Sequence, residues 1–157
     1  MFGDGETSEN HKVGPLSSSL KERLENVLQL LERLEGESAK GTPIVVEGQK
    51  DVVTLRNLGI QGDILSAKSS GKSLLDVIRE AESRQGDEII LLFDFDRRGV
   101  ELTKRIARWL EGRRIKANRF FWRRLRSMVR KEVKDVEGLA TYLDTLRKKA
   151  GDQISKV

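Results

Sequence analysis

Two short segments hold residues whose types and spacing suit chemistry: Val45-Val46-Glu47-Gly48-Gln49-Lys50-Asp51 and Ile90-Leu91-Leu92-Phe93-Asp94-Phe95-Asp96-Arg97-Arg98-Gly99. Each is an apolar run that stops abruptly at carboxylates and a glycine. Short apolar runs bounded in this way read as buried strands, and in an open parallel sheet ligands bind beyond the carboxyl ends of the strands. Asp94 and Asp96 stand two apart, so on an extended chain both point to one side while Phe95 points to the other. Three carboxylates gathered at such tips repel one another unless a cation neutralises them. Hard oxygen donors of that kind suit Mg²⁺, with Mn²⁺ able to substitute. The pattern points to metal-dependent chemistry on phosphates.

The elements that must position these residues follow from periodicity and punctuation. Beyond the Gly41-Thr42-Pro43 break the chain alternates. Strands are expected at Ile44–Val46, Asp63–Ala67, Glu88–Phe93 and Ile115–Trp122. Helices are expected between them at Asp51–Leu58 (closed by Gly59), at about 73–84 and at Val100–Glu111. Such alternation with short links predicts an α/β fold: a mainly parallel four-stranded sheet with helices on both faces. Before it, Ser19-Leu20-Lys21-Glu22 has capping-box spacing. Leu20, Leu24, Val27, Leu28, Leu31 and Leu34 then recur at helical intervals, predicting an N-terminal amphipathic helix over 19–36 that packs onto the main fold. After it, 123–134 and Val136–Lys149 are expected to be helical.

The chain has 157 residues, 37 % hydrophobic and 35 % charged, which fits one charged domain rather than two. It contains no cysteine and a single histidine, His11, in a polar N-terminal stretch. Disulfides, thiolate zinc sites and cysteine nucleophiles are thereby excluded, and histidine-based chemistry is disfavoured. No apolar run approaches the roughly 18–20 residues needed to span a bilayer, so a cytoplasmic protein without membrane association is expected. The net charge of +5 is unevenly spread: residues 97–134 hold 15 basic and 3 acidic side chains, whereas residues 1–96 hold 11 and 18. Such segregation is the footprint of a polyanionic partner.

With both motifs placed, the chain resembles the Toprim family, the catalytic module shared by topoisomerases, bacterial-type primases, and certain nucleases and ribosomal-RNA maturases. The family pattern is a strand ending in Glu-Gly followed by an acid-bearing helix, and later a strand ending in Asp-x-Asp with a glycine three residues on. Val45-Val46-Glu47-Gly48 with Asp51 matches the first half, and Leu91-Leu92-Phe93-Asp94-Phe95-Asp96-Arg97-Arg98-Gly99 the second. In size the chain is similar to the small stand-alone archaeal Toprim proteins and nuclease-like maturases. The resemblance implies a Toprim-like, Rossmann-like sheet over 41–125, between a polar lead-in (1–18) with an N-terminal helix (19–40) and a basic helical extension (126–157). It also implies Glu47 as general acid or base and Asp94 and Asp96 as Mg²⁺ ligands beside it. Gly48 and Gly99 would allow close backbone approach and tight turns. Lys68, Lys72, Arg97, Arg98, Arg123, Arg124 and Arg126 are the candidate nucleic-acid contacts.

Competing patterns are weaker. Ser66-Ala67-Lys68-Ser69-Ser70-Gly71-Lys72-Ser73 ends like a phosphate-binding loop, but serine stands where that loop needs its first glycine. A polar turn capping a helix explains it more simply. Asp94-Phe95-Asp96 is also similar to haloacid-dehalogenase-type phosphatases, yet arginines follow where they require glycine. Phe120, Phe121 and Trp122 suit either base stacking or core packing, with core the better account. Asp51 is assigned to capping or support, and Asp135 and Glu137 to the charge of a helix N-terminus. Mg²⁺-dependent nuclease or RNA-processing chemistry is the leading expectation. The alternative is a non-catalytic Toprim-like module that binds RNA or DNA, as a homo-oligomer or within a larger processing complex.

Overall fold

The computed structural model describes residues 15–155 other than 69, 70, 86 and 130. Of the polar lead-in expected over 1–18, residues 1–14 therefore lie outside the described residues. The elements are α1 (Pro15–Ala39), β1 (Ile44–Val46), α2 (Gln49–Asn57), β2 (Ile64–Ser66), α3 (Leu74–Gln85), β3 (Glu88–Leu91), α4 (Arg97–Gly112), β4 (Lys116–Asn118), α5 (Phe120–Met128) and α6 (Val136–Ser155).

The four strands form one parallel sheet in the order β2-β1-β3-β4. Ile44 pairs with Ile64 on one side and Ile90 on the other, and Ile90 continues the ladder to Asn118. Alternation along each strand divides the core in two. Ile44, Val46, Ile90 and Leu92 face α1, α2, α5 and α6, whose Leu34, Leu55, Leu125 and Leu139 are fully or almost fully buried. Val45, Ile89, Leu91 and Phe93 face α3 and α4, meeting Ile78, Ile106 and Leu110. Helices on both faces are the expected Toprim-like α/β arrangement. The chain leaves β1 toward β2 on one side and returns to β3 on the other, so the crevice between the tips of β1 and β3 is the topological switch point where ligands of such sheets bind.

Four expectations need correction. Ser19 does not begin the first helix, which already runs from Pro15, a residue suited to an opening turn. Nor does Gly36 end it. The stop falls at Gly41, whose φ of 106° lets its N–H reach Ser38 O (3.0 Å) and the Thr42 N–H reach Glu37 O (3.3 Å). The predicted strand 115–122 is only Lys116–Asn118, because Asn118 accepts a hydrogen bond from the Phe120 N–H (3.0 Å) and turns the chain into α5. Helical spacing then buries Phe121, Trp122 and Leu125 together. Finally, 123–134 is not one helix. α5 stops at Met128, Val133 enters the core, and the Phe95 N–H donates to Lys134 O (2.6 Å), tying the approach to α6 beside the tip of β3.

Candidate functional site

Glu47 follows directly on β1, and Asp94 lies just past β3. Because β1 and β3 are sheet neighbours, the two carboxylates meet at the switch point. Glu47 is 4 % exposed. Its Oε2 accepts a 2.6 Å hydrogen bond from Arg98 Nη2, and its Oε1 lies 3.4 Å from the Asp94 backbone N. The same Arg98 nitrogen stands 3.4 Å from Asp94 Oδ2. One guanidinium from the first turn of α4 thus bridges both acids. Its hydrogen bond with Glu47 and the charges of Glu47 and Asp94 hold Arg98 more firmly protonated than usual.

Negative charge accumulates beyond this pair. Burial first, then the charge of Glu47, then those of Asp51 and Asp135, push the Asp94 carboxyl up to about 7. Asp51 is raised as well, chiefly by burial and further by Asp135 and Glu47, although the Gly48 N–H partly offsets this. Asp51 Oδ2 accepts from that N–H (3.2 Å) and so closes the start of α2, as expected for a capping acid. The backbone of Glu137 also favours the ionised form of Asp51. Asp135 accepts from the Gly138 N–H (2.7 Å), the reverse arrangement, in which the residue before α6 caps its first turn. The sequence assigned Asp135 to the charge of a helix N-terminus, and its side chain caps that helix as well. Its nearness to Asp94 was not expected, because nothing local in Asp135-Val136-Glu137-Gly138 reveals which strand tip the helix will meet.

Asp96 is placed differently from its partner acids. It is the N-cap of α4, with Oδ1 accepting from the Gly99 N–H (2.8 Å). Among the described residues no group of three Asp, Glu or His side chains stands ready to hold a metal ion. The positive charge between Glu47 and Asp94 is supplied by Arg98. Gly99 has the role that close approach implies: a Cβ there would fall on the Asp94 carbonyl. Gly99→Ala is therefore expected to cost roughly 1–3 kcal/mol or more, read as a lower urea midpoint at unchanged slope. Gly48 is extended (φ −133°), so no turn demands glycine. A Cβ there would meet nothing nearer than Asp51 Oδ2 at 4.0 Å, so the close approach expected at Gly48 is not seen.

The candidate nucleic-acid contacts separate into groups. Lys68 sits at the tip of β2, its N–H bonded to Glu47 O (3.0 Å), and Arg97 is exposed at the start of α4. Arg123 and Arg124 are exposed along α5, facing a groove. Arg126 donates from Nε to Phe95 O (3.1 Å), and Trp122 Nε1 donates to Asp94 O (3.2 Å), so α5 is fastened to the β3 tip. Lys72 is paired with Glu80 (2.7 Å). Ser73 and Asp76 exchange reciprocal 3.2 Å hydrogen bonds, so the Gly-Lys-Ser segment opens α3 as a capping box.

Paired acids at the switch point of a parallel four-stranded sheet, with Glu-Gly on one strand tip and Asp-x-Asp on the next, define the Toprim class. Residues 42–120 match the Toprim domain, and the chain belongs to that family. It is similar to small archaeal proteins. It shares 37 % identity with UPF0292 protein Mbar_A0484 of Methanosarcina barkeri, over 83 % of this chain and 90 % of that one. It shares 37 % with UPF0292 protein TK1411 of Thermococcus kodakarensis, over 75 % and 84 %. The fold is shared with a solved structure described as a putative protein from Aquifex aeolicus, at a TM-score of 0.57 and 23 % identity over 69 % of this chain and 94 % of that one. Family membership associates the chain with metal-dependent function on nucleic acids. No helix among the described residues is long and apolar enough to cross a membrane.

Proposed function

We propose that the chain carries out Mg²⁺-dependent phosphodiester chemistry on nucleic acid, as a nuclease or RNA-processing enzyme. The observation that carries this is the meeting of Glu47 and Asp94 at the switch point, at a spacing a single cationic group already bridges. The donor set fits a hard cation: carboxylate oxygens only, crowded enough that Asp94 resists ionising. Glu47 and Asp94 would hold the ion, with Asp96 contributing if it leaves its cap. A bound Mg²⁺ would stabilise charge on the phosphate and the leaving oxygen.

The chain's own residues do the rest. Arg98 has a side chain 60 % exposed, so it can swing outward and leave the two acids to a divalent ion. Turned outward, its planar fork suits a phosphate oxygen pair. Glu47, buried beside the reacting phosphate, would move the proton. Lys68 and Arg97 flank the tips and would hold the backbone.

Metal titration with labelled single- and double-stranded RNA and DNA is the test, wild type beside Glu47→Gln. The proposal expects divalent-dependent cleavage of at least one substrate by wild type alone. A second reading has its own support: the Arg98 bridge and the capping duty of Asp96 describe an acid pair already neutralised, as a non-catalytic binding module would have. Salt-sensitive binding without turnover in either Mg²⁺ or Mn²⁺ would favour that module.

A further inference from the structure

We propose that the groove along the free edge of β4 is a cleft for single-stranded nucleic acid, in which an unpaired base stacks on Phe120. This rests on the nucleic-acid reading above and specifies the form of the substrate. The groove, about 800 Å³, lies between α1, the edge strand β4 and the first turns of α5. Phe121 and Trp122 are buried, but Phe120 is 37 % exposed at the groove wall. Phe121 packs edge-on against its ring at 5.3 Å and 84°, which fixes the ring's orientation.

Cations surround this ring. The Arg33 guanidinium lies 4.7 Å from its centroid and that of Arg124 5.8 Å. Lys116, Arg119 and Arg123 line the same groove. Arg119 reaches Glu111 only at 3.5 Å, and its Nε has no hydrogen-bond partner among the described residues. The two acids on the wall are already engaged: Glu37 by Lys40 (3.3 Å) and Glu88 by Asn118 Nδ2 (2.8 Å). An exposed aromatic ring ringed by excess arginine is the combination that holds single strands, the ring taking a base face and the cations the phosphates. An incoming base takes the place of one guanidinium over Phe120, and the displaced cation meets the adjoining phosphate.

One element, α5, contributes to the groove and is fastened beside the acid pair. α5 starts in the groove with Phe120 and is bonded to the β3 tip through Trp122 and Arg126. A strand lying along α5 is thereby led toward Glu47 and Asp94. A duplex keeps its base faces stacked internally and offers none to Phe120.

The test is fluorescence anisotropy in EDTA with a labelled 12-nucleotide oligo-U, oligo-dT and a blunt duplex. Wild type is compared with Phe120→Leu, the double variant Arg33→Ala with Arg124→Glu, and Glu47→Gln. Phe120→Leu should weaken single-strand binding roughly tenfold and duplex binding less than about twofold. Glu47→Gln should bind single strands at least as tightly as wild type. A 2-aminopurine within the strand should be quenched by wild type and not by Phe120→Leu, a signal that a merely structural role would not move.

Single-strand binding unchanged in both groove variants would overturn the proposal, as would a wild type that prefers duplex. Binding of a poly-Glu peptide in place of the oligonucleotides would assign the groove to an acidic protein segment instead. If the groove variants bind normally while metal-dependent cleavage still requires Glu47, the groove fails and the chemistry stands. If Phe120→Leu loses single-strand binding but no substrate is cleaved, the groove stands and the chemistry fails.

Discussion

Glu47→Gln is expected to lower the proposed metal-dependent cleavage by roughly 10²- to 10⁴-fold, the range a positioned proton-transfer group contributes. The substitution keeps the volume of a side chain that is 4 % exposed, so packing is preserved. It deletes the negative charge that Arg98 pairs with and that a divalent ion would use. The loss should therefore appear in the rate and in metal affinity, with nucleic-acid binding unimpaired. Single-turnover kinetics over a range of Mg²⁺ concentrations separates the two. Rescue by raised metal indicates lost ligation, and loss that persists at saturation indicates lost proton transfer. A Glu47→Gln protein that cleaves like wild type at every metal concentration would exclude Glu47 from both duties.

Asp94→Asn is expected to make the apo protein more stable at pH 8 by roughly 1–2 kcal/mol and to abolish the stabilisation that the proposed Mg²⁺ site would give. The carboxyl is raised to about 7 in the folded chain from an ordinary 3.8. Between those values the folded state holds a proton that the unfolded state has released, so stability falls as pH rises from about 4 to 7 and is level above that. The full shift would give more, but the group is partly solvated and Arg98 offsets it, hence the lower figure. Asparagine carries no charge and should flatten this slope. Magnesium should raise the wild-type melting temperature more at pH 8 than at pH 5.5, because protons compete for the same oxygen atoms. Thermal melts of both proteins at the two pH values, with and without Mg²⁺, read all of this. A Mg²⁺ shift that survives in Asp94→Asn would place the ion elsewhere.

The sheet and its acid tips were legible because they are written locally: apolar runs, abrupt carboxylates and glycines at fixed spacing. Strand order was not, since the same alternation permits several orders, and only packing reveals that β1 and β3 are neighbours. Phe120-Phe121-Trp122 was misread as strand because a short apolar run has no distinguishing period. The deciding signal was the polar Asn118 turn before it. The Arg98 bridge was hidden for a different reason. Arg98 was singled out as a phosphate contact, but its angular position on α4 relative to the tip of β1 depends on how closely Gly99 lets the helix approach Asp94. Asp135 is the same case at longer range, brought to the acid pair by the Lys134–Phe95 backbone bond. Asp96 was expected to act alongside Asp94, and its capping bond to Gly99 follows from the helix beginning immediately after it.

The central claim is that the tips of β1 and β3 form a divalent-ion centre from which Arg98 can be displaced. Anomalous diffraction from a crystal soaked in Mn²⁺ tests it most directly. The account predicts a manganese peak about 2 Å from oxygens of both Glu47 and Asp94, with the Arg98 guanidinium turned away from them. Saturating Mn²⁺ with no peak at that position, and Arg98 Nη2 still bonded to Glu47 Oε2, would contradict it.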